Sequence, residues 1–300
     1  MLKSPQAGGS TWDDPAPGHR PRTTTGPAPV TTSGGWALTP RRRPRLIVEV
    51  CLVVATYLAY SFTRNAVPHQ AEVAIERARW LLRLERSLQI DLELWANHAV
   101  DSVSWLVVGM NYFYATMHFA VTIGVLVWVY RRRPGHYRTV RGVLLAATLL
   151  GLVGYFLWAL APPRLLPGAG FIDTVVVHDT WGSLASDGMQ TVSNQYAAMP
   201  SMHAGWSLWC GLTVAFLARP TWIRVVALAY PLLTLVVIVG TGNHFVLDAV
   251  GGWLAVGAGI LLQRLTVDQL GRTRRRYAGA GRHPTSRPTH GALRRLSRYG

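Results

Sequence analysis

The sequence predicts an all-α integral membrane protein: a six-transmembrane-helix bundle with an additional interfacial amphipathic helix and disordered tails. Three observations point there. Half of the 300 residues are hydrophobic, only 15% are charged, and the mean hydropathy is +0.20, whereas soluble domains are about one-quarter charged. The apolar residues gather in tracts close to the ~20 needed to cross a bilayer. Most of the net charge of +16 sits at the ends: residues 1–45 hold seven Lys/Arg against two Asp, and residues 264–300 hold ten Arg against one Asp. Basic tails flanking an apolar body suit anionic lipid headgroups. No nucleic-acid recognition fold accompanies the C-terminal arginines, so no nucleic-acid partner is expected. Cys51 and Cys210 lie inside apolar tracts, with neither a disulfide framework nor metal-ligand spacing.

Three regions follow: a disordered cytoplasmic tail over 1–44, a membrane domain over 45–265 and a basic disordered tail over 266–300. The first 40 residues are rich in Pro, Thr, Gly and Ser and contain no apolar core, so insertion is expected to start at the first internal span. That span is 46–64, directly after the basic run RRRPR at 41–45. Segment 70–94 places Val73, Trp80, Leu81, Leu84 and Leu88 on one helical face and Glu76, Arg79, Arg83 and Arg86 on another, the pattern of a helix lying in the interface. The apolar tract at 99–130 is too long for one span, so 112–130 reads as the crossing and 99–111 as a lead-in helix or re-entrant piece. Further spans are expected at 140–161, 202–218, 222–240 and 243–264. Arginines at 41–45, 131–141, 219, 224 and the C-terminus fall on one side, while the loop at 162–201 contains only Arg164. The positive-inside rule makes both termini cytoplasmic, in a multi-pass plasma-membrane topology whose 162–201 loop faces outward.

This topology brings three pieces to the outer surface: Ala161-Pro162-Pro163-Arg164, Met199-Pro200-Ser201-Met202-His203, and Asn243-His244-Phe245-Val246-Leu247-Asp248. Two of them open helices, and helix N-termini with an arginine are expected to form a phosphate site. His244 and Asp248 are four apart and share a helical face; the carboxylate can fix the imidazole tautomer and free the other nitrogen for attack. His203 is placed to donate a proton to a leaving oxygen. The residues alone leave other readings open. His-x-x-x-Asp can be a structural hydrogen bond or half of a metal site, although no third ligand stands at helical spacing. Ser201 can be simply a helix cap, and Arg164 a headgroup anchor. Asn111, Tyr114 and His118 recur at i, i+3 and i+7 on one face of the second span, as interhelical hydrogen bonds or as substrate contacts. Asp173 and Asn194 could bind headgroup hydroxyls, as could Ser201 and Asn243 beside the histidines. His69, His98, His136 and His178 read as surface or interfacial residues.

AMPSMHAGW at 198–206 and TGNHFVLDAVGG at 241–252, with PPR at 162–164, resemble the three-motif signature of the type 2 phosphatidic acid phosphatase superfamily. They are most similar to its branch containing fungal inositol phosphorylceramide synthase. The resemblance covers roughly residues 100–265. It implies that His244 is the nucleophile of a phosphoenzyme, Asp248 its orienting partner, His203 the acid that becomes the base, and Arg164 a phosphate ligand. It implies no cofactor and no metal, and a lipid-linked phosphate as substrate. The broad-range phosphatases of this superfamily carry a Lys before the Arg and Ser-Arg before the nucleophile. Here Tyr155, Leu157 and Trp158 occupy the first region and Val237-Ile238 the second, and Met202 replaces the Gly of Pro-Ser-Gly-His. Fewer phosphate-holding cations fit the synthase-like branch. The expected activity is transfer of an inositol-phosphate-type headgroup, with lipid or polyprenyl phosphate hydrolysis as the alternative and non-catalytic lipid transport as a more distant one.

Overall fold

The computed structural model describes residues 45–66, 71–180 and 195–280, and all regular structure among them is helical. The predicted N-terminal tail, residues 281–300, His69 and Asn194 lie outside the described residues. The helices are α1 (Leu46–Ala66), α2 (Ala71–Ser87), α3 (Glu93–Asp101), α4 (Ser104–Arg132), α5 (Pro134–Leu157), a short α6 (Thr174–Val177), α7 (Met202–Leu217), α8 (Thr221–Gly240) and α9 (Val246–Ala280). A 3-10 turn, Pro163–Leu165, follows α5.

Four of these, α4, α5, α8 and the first 24 residues of α9, are long and apolar enough to cross a membrane; most of each apolar stretch is left unburied by the protein. On α8, Trp222, Val225, Val226 and Val236 are all well exposed. Each such side chain costs about 1.5–3 kcal/mol to leave in water, so the stripe calls for lipid. The protein is a membrane protein. α1 is apolar over the shorter stretch Leu46–Ala59, and α7, with 16 residues, is about 24 Å long against a hydrocarbon thickness of about 30 Å.

The interior is built where α4, α5, α7 and α9 meet, around Val129, Val143, Ala147, Trp209 and Val256. Trp209 is fixed by its indole N–H to Val140 O (2.9 Å). α7 and α9 cross backbone to backbone: a Cβ on Gly252 would stand 2.1 Å from Ser201 O, and one on Gly205 3.1 Å from Gly252 O. No larger residue fits that crossing. α1 is joined to α5 by an ion pair between Glu49 and Arg141.

Several sequence expectations are corrected. The long tract does not divide at 111/112: α4 is unbroken from Ser104, and the interruption falls at Ser102–Val103, where Val103 is extended and Ser102 Oγ bonds Ala99 O (2.6 Å). No Pro interrupts Ser104–Arg132, so nothing stops the helix there. The third apolar tract ends as helix at Leu157 rather than 161, and the amides of Leu160 and Ala161 bond Tyr196 O and Ala74 O instead of continuing the helix. The sixth helix continues to Ala280, past the boundary expected at 265; the next proline is Pro284. α2 is amphipathic, but its packed face is Ala74, Ala78, Leu81, Leu82 and Glu85, while Val73, Trp80 and Leu88 are exposed. Small alanines and one buried carboxyl carry that contact, which a search for large apolar residues passes over. His178, expected at the surface or the interface, bonds Asp101 (2.7 Å) with its side chain 15% exposed.

Candidate active site

After α5 the chain runs extended and is tied down at successive residues. Leu160 N bonds Tyr196 O (2.7 Å), Ala198 N bonds Leu160 O (3.2 Å) and Ala161 N bonds Ala74 O (3.2 Å). Arg77 of α2 donates to Ala159 O (3.2 Å) and lies over the Trp158 ring at 4.6 Å. The 3-10 turn then delivers Arg164 against the turn between α8 and α9, where Arg164 N donates to Gly242 O (2.9 Å). Gly242 has φ +64 and a Cβ there would lie 3.4 Å from Arg164 Cβ, so both backbone conformation and space favour glycine. The Arg164 guanidinium is held by Asp173 (Nη1 to Oδ2, 2.6 Å), Asn243 (Nε to Oδ1, 3.1 Å) and Gln195 (Nη2 to Oε1, 3.2 Å).

The two histidine motifs are joined directly. Ser201 N donates to Asp248 O (2.8 Å), which, with the Gly205–Gly252 crossing, sets the start of α7 beside the start of α9. The imidazoles of His203 and His244 are 5.7 Å apart between ring centroids. Tyr114 stacks on His203 at 4.1 Å and stands 6.2 Å from His244; His118 approaches His203 edge-on at 4.1 Å.

His244 is 4% exposed and Asp248 fully buried. His244 Nδ1 faces Asp248 Oδ2 at 3.3 Å, and the same oxygen accepts from Phe245 N (3.0 Å). A neutral His244 with its proton on Nδ1 has its lone pair on Nε2, and Nε2 is buried with no hydrogen-bond partner among the described residues. That is the arrangement a nitrogen nucleophile requires.

The sequence-derived candidates separate into two groups. His203, His244 and Asp248, with Tyr114 and His118, come together, and Arg164 is tied to them through Asn243, the residue before His244. Asn111 does not join them: its amide donates to Thr174 O (3.1 Å) and Thr180 Oγ1 (2.8 Å) and accepts from Thr174 Oγ1 (3.0 Å), tying α4 to α6. Asp173 caps α6 through Val175 N and pairs with Arg164. Ser201 caps α7, accepting from Ala204 N (3.3 Å). Asn243 bridges Arg164 and Thr241 Oγ1 (2.8 Å).

The expectation that both helix N-termini receive phosphate needs correction. At α9 the amides of Phe245, Val246 and Leu247 are taken by Asp248, by Glu93 (2.9 Å) and by Glu85 (2.7 Å). Glu85 and Glu93, both fully buried, were missed, as was Asn97, which holds Gly240 O (3.2 Å) and both backbone groups of Ile172. In sequence Glu85 stands between Arg83 and Arg86 and reads as solvated charge. The available signal was spacing, since Glu85 follows Ala74, Ala78 and Leu81 on one helical face.

Below the histidines, α1, α4, α5 and α7 enclose an apolar cavity of about 400 Å³, lined by Val53, Tyr57, Phe119, Ile123, Leu144 and Trp206 among others. Phe119 and Trp206 form its upper wall and contact His118 at 3.8 and 5.9 Å. Among the described residues no three His, Cys, Asp or Glu side chains gather as metal ligands.

No curated protein and no solved structure matches the chain. The sequence profile of the PAP2 superfamily matches residues 79–262, which is more than half of the 300 residues and includes every side chain that meets at the two histidines. The chain belongs to the PAP2 superfamily.

Proposed function

We propose that the protein is a membrane-embedded phosphotransferase or phosphatase that acts on a lipid phosphate through a phosphohistidine at His244. PAP2 membership supports phosphoryl chemistry on lipid-type substrates. The single observation that carries the finer reading is His244, with Nδ1 against Asp248 and Nε2 buried without a partner, across 5.7 Å from a second imidazole.

His244 Nε2 attacks phosphorus in line. The N–P bond forms as the P–O bond to the leaving group breaks, and the Nδ1 proton stays hydrogen-bonded to Asp248, which stabilises the developing positive charge. His203, entering protonated, gives its proton to the departing oxygen. Arg164 stabilises the equatorial oxygens; its guanidinium has five N–H donors, more than the three contacts that hold it in place. In the second half-reaction neutral His203 takes the proton of water or of an alcohol, whose oxygen attacks phosphorus and regenerates His244. No metal or cofactor enters these steps.

The remaining features join this reading. The six apolar helices α1, α4, α5, α7, α8 and α9 cross the plasma membrane, with α2 at the interface, both termini cytoplasmic and the histidines towards the extracytoplasmic face. The apolar cavity beneath Phe119 and Trp206 accepts hydrocarbon of the substrate. The acceptor separates transfer from hydrolysis. Likeness of the 198–206 and 241–252 motifs to the inositol phosphorylceramide synthase branch favours transfer of a phospho-inositol-type group.

Purified protein given a labelled lipid phosphate, with and without a polyol, tests this. A labelled phosphorylated polyol supports transfer, and free phosphate alone in both reactions overturns it in favour of hydrolysis. Labelled lipid moved across a vesicle bilayer without any P–O cleavage, equally by wild type and His244→Ala, would establish a transporter instead.

A further inference from the structure

Three consecutive amides at the start of α9 are held by three carboxyl groups, and two of these come from helices more than 150 residues away in sequence. Glu85 arrives from α2 and Glu93 from the first position of α3. Glu85, Glu93 and Asp248 are all fully buried. Three buried carboxylates in one place are strongly unfavourable, and the helix terminus offers only about half a positive charge in return. A shared proton resolves the conflict. Glu85 and Glu93 accept from neighbouring amides, Leu247 N and Val246 N, which sets their carboxyl groups side by side; since a carboxylate only accepts, a proton on one is what lets it donate to the other. Each places Oε1 on an α9 amide, while Glu85 Oε2 and Glu93 Oε2 are buried with no hydrogen-bond partner among the described residues.

We propose that Glu85 and Glu93 form a proton-sharing pair that positions the first turn of α9, and through it His244 and Asp248, while keeping one negative charge away from the phosphoryl site. The proposal rests on the phosphohistidine reading. Its logic is geometric. Asp248 Oδ2 holds both His244 Nδ1 and Phe245 N, so a rotation of this turn displaces the nucleophile; the next two amides, Val246 and Leu247, are clamped from outside the helix and prevent that rotation. Both glutamates are positioning residues, since each acts through α9. The charges that act on Glu85 are Glu93 of α3 and Asp248 of α9. Burial first, then the bond to Glu93 and these two charges, push Glu85 up to about 9, against the lowering effect of the Leu247 amide. The pair therefore keeps its proton at neutral pH. Its loss near pH 9 sets three carboxylates against one another and against an anionic substrate.

The test uses the full chain in nanodiscs, as wild type, E85Q, E85A and E93Q. Glutamine at 85 retains the acceptor for Leu247 N and supplies an N–H to Glu93, imitating the protonated acid. Infrared spectra of the wild type at pH 7 should contain a carboxylic-acid C=O stretch that fades as pH rises through about 9 and is missing in E85Q. Phosphoenzyme formation from a labelled short-chain phosphatidic acid should fall by about 100-fold in E85A. E85Q should restore it to within a few-fold at pH 7 and hold it above pH 9, where the wild type declines. The proposal is overturned by a wild type with no such band, by E85A and E85Q both following the wild type at every pH, or by E85Q failing as badly as E85A. A wild type that forms no phosphoenzyme refutes the phosphohistidine reading instead, and the infrared titration still decides the pair.

Discussion

Two helices begin side by side at the candidate site, and their first turns are satisfied by opposite chemistry. α7 opens with Ser201, a neutral hydroxyl that caps Ala204 N from within its own turn. α9 opens under three carboxyl groups, two of them from distant helices. Both ends carry the same partial positive charge from aligned peptides, yet only the α7 end keeps it uncompensated by an acidic side chain of its own cap. The difference assigns different work to one structural element. In the proposed mechanism α9 holds the nucleophile still, and α7, with Arg164, supplies positive potential to the phosphate. The helix N-terminus as an anion site is thus a property of what caps it, not of the helix alone.

Breaking the α9 side should cost most. Asp248→Asn keeps the shape but disturbs the tautomer of His244 and its charge partner, so kcat for phosphoryl transfer should fall by about 10³–10⁴-fold, measured by rapid-quench phosphoenzyme formation. A residual rate near wild type would remove Asp248 from the mechanism. Gly252→Ala attacks the crossing that joins the two ends: its Cβ meets Ser201 O at 2.1 Å. Thermal unfolding in detergent should drop by the equivalent of about 1–3 kcal/mol, with activity lost in parallel. Ser201→Ala removes the neutral cap alone, for about 1 kcal/mol of stability and a rate loss of only a few-fold.

The pH dependence of stability sharpens the same contrast. Glu85 is raised from 4.5 to about 9 in the fold, so the folded state binds the extra proton between those values. Stability from this group is complete below about pH 4.5 and is lost as pH rises through about 9. Unfolding midpoints of the wild type should decline across that window, and E85Q should flatten the decline. Ser201→Ala, lacking a titratable group, should leave the slope as it is.

How much of this was legible in the sequence follows the same division. The α7 end was readable because its elements are local: Pro-Ser before an apolar run, and a histidine two residues on. His244 and Asp248 were equally readable through their four-residue spacing, and the structure brings His203 to 5.7 Å from His244. The carboxyl clamp on α9 was not readable. Glu85 and Glu93 acquire their roles only when α2 and α3 fold against a helix some 150 residues later, and periodicity reports faces, not partners. Asn111 illustrates the converse: its place on the Tyr114/His118 face left interhelical hydrogen bonds and a ligand contact both open, and its amide is occupied by Thr174 and Thr180. The break at Ser102–Val103 was invisible because serine and valine carry no strong stop signal, whereas hydropathy alone suggested a division near Asn111.

The most direct test is to quench the protein during turnover of a ³²P-labelled lipid phosphate, digest it and locate the label by mass spectrometry. The expected result is an acid-labile, base-stable phosphoramidate on His244, absent in His244→Ala and both formed and lost more slowly in His203→Ala, which lacks the acid of the first half-reaction and the base of the second. Turnover without any protein-bound phosphate, or label on a residue other than His244, would contradict the phosphohistidine mechanism.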